Sequence, residues 1–366
     1  MWLTDFRCFT EVELALAPGL TVLRGDNGQG KTSVLEAIGW VARARSFRGV
    51  ADALLVRHGS TEAIVRAEVC TGPRVQLFEA EIRAAGRNRI QCNKQAVTRS
   101  RDLHGLLCVT VFAPDDLALV KEGPSARREY LDDLLVMLAA RYEAARTDYE
   151  RVLKQRNALL RRGVRDDDAR RTLDVFDDQL VRAGAELVRG RVRLVERLAP
   201  VVDASYRVLA ESERPVDVHY SAEWSGEPLA SDDTRTIESE LRAALERRRR
   251  AETERGITLV GPHRDELRFE IGGLEARTQA SQGEQRTLAL ALRLAGHRVV
   301  TEVTGTAPAL LLDDVFSELD RARATALVRN LPGGQTLLTT AGVLPDGIAP
   351  ERRWIVDARG LREDGA

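Results

Sequence analysis

Eight consecutive residues, Gly25-Asp26-Asn27-Gly28-Gln29-Gly30-Lys31-Thr32, combine the residue types that hold a polyphosphate. Their spacing is G-x-x-x-x-G-K-T, and they follow the apolar, strand-like run Leu20 to Leu23. Glycines let the backbone curl until successive N–H groups face one anion, and a helix opening at Lys31 adds the positive end of its dipole. In such a loop Gly25, Asp26, Asn27, Gly28, Gln29 and Gly30 wrap the phosphates, Lys31 bridges the β- and γ-phosphates, and Thr32 is a ligand for Mg2+. Lysine is scarce in this chain, four against 51 arginines, yet one stands where a compact ammonium is required. The spacing predicts a nucleoside-triphosphate site with ATP and Mg2+ as its cofactors.

A second cluster lies far downstream, where Ala309-Leu310-Leu311-Leu312 runs into Asp313-Asp314. A buried strand delivering two carboxylates at its C-terminal end suits Asp313 to hold Mg2+ through water and Asp314 to orient or deprotonate the attacking water. By itself such a run also reads as a strand ending in a polar loop; the phosphate loop upstream gives it chemical meaning. Lys31 and Asp314 are therefore the catalytic candidates. Between the clusters, Ser281-Gln282-Gly283-Glu284-Gln285 precedes a strong helix former and resembles the S-x-G-x-Q signature of the ABC-type ATPases. The Ser281 hydroxyl and Gly283 N–H are then candidates to bind phosphate on the nucleotide of a second copy. The other reading is an N-capped core helix. Ser317-Glu318-Leu319-Asp320 resembles the D-loop that crosses the same dimer interface.

The spacing also sorts the possibilities. Lys31 and Ser281 are 250 residues apart, Ser281 and Asp313 only 32. The expected fold is α/β, an ABC-type (SMC-like) P-loop ATPase head with an inserted short helical lobe: head residues 1–122 and 257–366, lobe residues 123–256. Within the lobe, Arg127 to Leu160, Asp166 to Leu209 and Thr236 to Arg255 carry helical periodicity, with Val216 to Tyr220 a strand and Glu227-Pro228 a turn. Long sustained heptads are missing, which excludes a long coiled-coil rod. Strands are predicted at Ala63 to Glu68, Val75 to Ile82, Arg89 to Ala96, Cys108 to Phe112, Ile257 to Val260, Glu266 to Ile271, Gln335 to Thr339 and Trp354 to Val356, and the tail Gly360 to Ala366 is expected to fray.

At 366 residues and 43% apolar content, the chain can build a proper core. Its charge is nearly balanced, 55 basic against 56 acidic, so a polyanion must meet a local patch instead of a global field. Cys8, Cys70, Cys92 and Cys108 have no C-x-x-C spacing, which suggests neither zinc nor a disulfide framework. With no signal-like N-terminus and no long uncharged apolar stretch, a cytoplasmic protein without a membrane partner is expected.

The resemblance sharpens across the whole length. Asp5-Phe6-Arg7, Ser46-Phe47-Arg48, Phe112-Ala113-Pro114-Asp115-Asp116-Leu117, Lys121-Glu122-Gly123-Pro124, Arg127-Arg128-Glu129-Tyr130-Leu131-Asp132 and Gly261-Pro262-His263-Arg264-Asp265-Glu266 join the signature segment. With these the chain closely resembles the RecF family, bacterial recombination mediator ATPases related to SMC proteins. That resemblance implies an ATP-dependent homodimer that binds DNA at single-strand/double-strand junctions and works with RecO and RecR to load recombinase. It also implies support of replication restart and the SOS response. Asp314 stands where the wider ABC pattern has glutamate, and no histidine lies near Thr339-Thr340, so slow, DNA-stimulated hydrolysis serving as a switch is expected.

Candidate DNA contacts are Arg247 to Arg250, Arg161-Arg162, Arg127-Arg128, Arg87, Arg89 and Lys94, although a solvated helix face fits the four-arginine run as well. With 5% aromatics, backbone recognition of a duplex is favoured over base stacking. Arg7 and Arg48 are open between nucleotide contact and ordinary salt bridges. An SMC-like architectural or double-strand-break repair ATPase is the alternative function, but it needs a long coiled coil and a hinge or hook. A transporter subunit would have a shorter phosphate-loop-to-signature distance, and an ATPase-coupled nuclease an additional carboxylate or histidine cluster.

Overall fold

The runs Leu20 to Leu23, Val109 to Phe112, Ala309 to Leu312 and Thr336 to Thr340 are aliphatic or β-branched throughout or nearly so and carry no charge, as expected of strands covered on both faces. In the computed structural model they form the middle of one parallel sheet. The structure describes residues 1–97, 103, 106–226, 229, 233–345, 347–357 and 360–364. Their strands are β1 (Trp2–Phe6), β2 (Phe9–Glu13), β3 (Leu20–Arg24), β4 (Glu62–Thr71), β5 (Arg74–Arg83), β6 (Arg89–Cys92), β7 (Gln95–Ala96), β8 (Val109–Phe112), β9 (Val216–Ser221), β10 (Glu266–Ile271), β11 (Leu274–Glu275), β12 (Ala309–Leu312), β13 (Thr336–Thr340), β14 (Arg352–Asp357) and β15 (Gly360–Glu363). The helices are α1 (Lys31–Arg43), α2 (Ala118–Lys121), α3 (Pro124–Leu138), α4 (Ala140–Arg162), α5 (Asp167–Ala210), α6 (Thr234–Arg255), α7 (Ala276–Gln279), α8 (Gln282–Thr304) and α9 (Arg321–Arg329).

Two compact units result, one of residues 1–116, 208–211 and 293–366, the other of 117–207 and 212–292. In the first, the central sheet runs β15-β14-β3-β13-β12-β8, so strands from both chain ends meet; only β15 is antiparallel to its neighbour. An antiparallel sheet, β2-β1-β4-β5-β6-β7, shares a core with it. From α1, Val34, Leu35 and Trp40 are fully buried between Leu23, Leu311 and Leu337 of one sheet and Val65 and Phe78 of the other. The Trp40 indole N–H donates to Asp52 at 3.1 Å while its ring meets Phe78 edge-on, so the indole's polar edge is satisfied inside the core.

The second unit gathers α3 to α6 with the small sheet β11-β10-β9. Its interior carries charge. Arg156 is fully buried and donates to Asp177 and Glu252, both at 2.6 Å, and to Thr258 at 2.9 Å. Arg191 forks onto Asp132 at 2.8 and 2.9 Å and reaches the Pro262 carbonyl at 2.7 Å. Removing one member of such a set strands the others in low dielectric. Arg156→Met is expected to cost about 3–5 kcal/mol, read as a lower urea midpoint with unchanged slope.

Four expectations are corrected. Ile257 to Val260 forms no strand, because side chains take its backbone donors: Asn157 accepts the Thr258 N–H at 2.8 Å and Glu252 the Leu259 N–H at 2.6 Å. Arg89 to Ala96 is not one strand, since Asn93 and Lys94, at φ 50° and 65°, turn β6 back onto β7; the helical periodicity of Arg127 to Leu160 is met by α3 and α4, which Ala139, extended at φ −161°, separates. The tail does not fray at Gly360, which opens β15 and pairs through to Trp354↔Glu363. Arg127 is structural, while its neighbour Arg128 is half-buried with a single bond to the backbone. Arg127 is buried and forks onto Glu266 at 2.7 and 2.9 Å, and Arg128 donates to the Asp265 carbonyl at 2.9 Å. The turn expected at Glu227-Pro228 lies outside the described residues. Among the described residues no helix is long and apolar enough to cross a membrane.

Candidate nucleotide site

The loop between β3 and α1 is shaped by contacts only glycine permits. Gly30 sits at φ 103°, and a Cβ there would lie 2.5 Å from the Cys8 sulfur and 2.8 Å from the Phe9 ring. Gly25 passes so close to β14 that a Cβ would lie 2.0 Å from the Val356 carbonyl oxygen. From this loop the Lys31 side chain turns back, its Nζ donating to the Gly25 and Asp26 carbonyls at 2.7 and 2.9 Å. The ammonium is thus held at the loop's concave side, and Lys31 is only 6% exposed.

Parallel pairing of β12 with β13 brings the second cluster to the same place. The Thr32 hydroxyl oxygen lies 2.9 Å from both oxygens of Asp313, 281 positions away in sequence. The Thr339 hydroxyl donates to Asp313 at 2.7 Å and accepts the Asp314 N–H at 2.9 Å, fixing the two aspartates relative to each other. Burial raises the Asp313 carboxyl above its ordinary range; the Thr339 and Thr32 hydroxyls act against that, and the Asp314 charge adds to it. Asp314 itself is left-handed, φ 47°, a conformation aspartate tolerates better than most residues, and it precedes the short turn Val315–Glu318 without spending its carboxylate on a cap. Lys31, Thr32, Asp313 and Asp314 all line one cavity of about 1020 Å3.

Arg7 and Arg48 part ways at this cavity. Arg7 forks onto the buried Glu36 at 2.8 Å twice and bonds the Leu54 carbonyl, so its guanidinium is committed to the fold. Arg48 is exposed on the lining, and its charge acts on Asp313. Sequence reasoning missed Thr339 as the clasp of Asp313, although the threonine pair Thr339-Thr340 closing a buried strand was the available signal. It also missed Arg57, His58 and Ser60, which line the cavity from the loop before β4, where no motif marks them.

A family model described as the RecF/RecN/SMC N terminal domain matches residues 1–337. The chain is 43% identical over 363 residues to the DNA replication and repair protein RecF of Streptomyces avermitilis, covering 97% of this chain and 96% of that one. The protein of the same name from Frankia alni is 46% identical over 352 residues, covering 94% and 93%. The chain belongs to the RecF family. A solved structure described as the recombination mediator protein RecF-ATP in the RecFOR pathway superposes with a TM-score of 0.91 at 27% identity, covering 100% of this chain and 96% of that one. An Smc head bound to a ScpA domain gives 0.58 at 16% identity, a likeness of fold alone, covering 99% and 96%. The fold is thus the ABC-type, SMC-like ATPase head of the RecF family.

In this RecF-family chain the signature segment opens α8. The Ser281 hydroxyl accepts the Glu284 N–H at 3.3 Å, while Glu284 accepts the Ser281 N–H and hydroxyl at 2.8 Å each. This reciprocal box leaves Ser281 exposed and Glu284 half-buried at the helix start. The bond from the Ser281 N–H, with help from Arg214, holds the Glu284 carboxyl below its usual range. Gln285 donates to the Ala276 and Arg277 carbonyls at 3.0 and 3.1 Å and fastens the preceding turn. Ser317 of the D-loop-like segment donates to the Asp314 carbonyl at 2.8 Å.

Proposed function

We propose that this chain is an ATP-dependent DNA-binding protein of recombinational repair and replication restart. Its ATP-driven homodimer clamps DNA at single-strand/double-strand junctions, promotes recombinase loading with RecR and RecO, and supports the SOS response. The observation that carries the reading is the Thr32–Asp313 contact on the wall of the phosphate-loop cavity. Support comes from the names of relatives: replication and repair proteins among the curated ones, and RecF with ATP in the RecFOR pathway among the solved ones.

Each residue then has a task. Gly25 to Gly30 offer backbone N–H groups to the phosphates, and Lys31 supplies the ammonium between the β- and γ-phosphates. Thr32 and Asp313 are hard oxygen donors already in contact, the set Mg2+ takes when phosphate and water complete its shell. Bound there, Mg2+ would neutralise the phosphate charge. No converging group of three or more His, Cys, Asp or Glu side chains occurs among the described residues, and a site shared with phosphates needs none. Asp314 orients or deprotonates the attacking water, and its short side chain holds that water less closely than a glutamate, which makes hydrolysis slow. Ser281 and Gly283 present the start of α8 to the nucleotide of a second copy.

The test is sedimentation of the full chain with and without Mg-ATP and a duplex bearing a single-strand overhang. ATP should convert monomer to dimer and strengthen DNA binding at least about tenfold, with steep loss in salt. A monomer under all conditions overturns the clamp. Asp314→Asn should keep ATP bound and accumulate the dimer while slowing single-turnover hydrolysis by about 100-fold or more, the scale of a lost catalytic base.

A further inference from the structure

The four arginines Arg247 to Arg250 on α6 divide into two pairs. Arg249 donates to Asp174 at 2.6 Å and Asp177 at 2.7 Å, and Arg250 to Glu254 at 2.8 Å. Those two are neutralised by the fold. Arg247 and Arg248 instead line a cleft of about 490 Å3, where Arg255 and Arg264 join them. All four are exposed. Arg247 donates once to the Trp224 carbonyl at 3.3 Å and Arg264 once to the Thr258 carbonyl at 3.2 Å, which orients each fork and leaves most of its donors. Among the described residues no carboxylate pairs with any of the four. Glu223, an acid on the lining, lies 3.8 Å from Arg268 instead.

We propose that this cleft, on each copy of the chain, binds the phosphodiester backbone of DNA without reading its sequence. Guanidinium forks match phosphate oxygens, and four of them, with no carboxylate partner among the described residues and one acid on the lining, are what a polyanion requires in a chain of balanced charge. Arg248 and Arg255 are seven residues apart on one helix, an axial separation of about 10.5 Å. A duplex whose axis runs along α6 advances about three base pairs, and so about three phosphates per strand, over that distance. Base reading is disfavoured because the floor offers no aromatic face: Trp224 is buried, its indole N–H donating to Asp265 at 2.7 Å. An acidic peptide is disfavoured for the same reason, since Ala244 and Val260 are buried too and leave little apolar surface to anchor one. The inference rests on the reading of the chain as a DNA-binding protein and names where each copy touches the backbone.

The experiment compares the full chain with Arg247→Gln/Arg248→Gln/Arg255→Gln and with Arg250→Gln, the ion-paired neighbour on the same helix. Fluorescence anisotropy of a labelled duplex with a single-strand overhang is followed over a salt series, with and without Mg-ATP. The cleft variant should lose about 2–3 from the slope of log affinity against log salt, about 0.9 per lost phosphate contact, and at least about tenfold in affinity at low salt. Its urea midpoint and the gain from ATP should be retained, and Arg250→Gln should keep the wild-type slope. Equal slopes in all three proteins overturn the cleft and leave the ATP-driven clamp standing. Absence of any ATP effect in the wild type, with the slope still lost in the cleft variant, overturns the clamp and leaves the cleft. Inorganic triphosphate is also titrated calorimetrically into Lys31→Ala, with and without the cleft substitutions. Heat that disappears with the cleft arginines, beside unchanged DNA binding, makes this a free-anion pocket and overturns the proposal.

Discussion

Lys31→Ala is expected to raise the dissociation constant for ATP by about 100-fold or more, the equivalent of two lost charge-assisted hydrogen bonds. The loop has one ammonium, nearly buried and held by the Gly25 and Asp26 carbonyls at its concave side, and no other cationic side chain occurs between Gly25 and Thr32. Truncation also frees those carbonyls, so the melting temperature without nucleotide should be measured beside equilibrium dialysis to separate a loosened loop from a lost phosphate contact. Lys31→Arg tests geometry against charge. The guanidinium keeps the charge but spreads it over a planar fork, so binding should be retained with poor hydrolysis. Unchanged affinity in Lys31→Ala would remove the nucleotide site from this loop.

The chemistry was legible where it is carried by short contiguous runs. Gly25 to Thr32 and Asp313-Asp314 specify local backbone and charge together, and β3, β12 and β13 showed as short strand-like runs, whereas their parallel order came only with the structure. What escaped depends on partners distant in sequence. Thr339 becomes informative only when its strand lies beside β12, and Arg127 reads as a surface cation until Glu266, 139 residues on, takes two of its three guanidinium nitrogens. The break at Ala139 has no glycine, proline or capping side chain to announce it. Ile257 to Val260 has strand composition, but its donors are captured by Asn157 and Glu252, and no pattern of local hydrophobicity encodes that competition. The strands β1 and β2 were missed for another reason: joined by Arg7 and Cys8, they mix apolar and polar residues with neither a continuous apolar run nor a strict alternation.

Ser281→Arg is expected to abolish ATP-driven dimerisation, hydrolysis and the ATP-dependent part of DNA binding together, while leaving a folded monomer. The fold should survive because the side chain is exposed and its local contribution is the capping box with Glu284, worth about 1 kcal/mol. In the proposed arrangement this helix start approaches the γ-phosphate held by a second copy, so the affinity of the single chain for ATP should change little. A bulky arginine there obstructs the approach. Ser281→Ala supplies the control, since it removes the same cap without adding bulk or charge and should lower dimerisation only modestly. Analytical ultracentrifugation with Mg-ATP reads all three proteins directly. If Ser281→Arg dimerises as the wild type does, α8 begins with an ordinary capped turn and the two-copy site loses its second half; if Ser281→Ala fails as completely as Ser281→Arg, the cap itself, and not access to the partner's phosphate, is what the dimer requires.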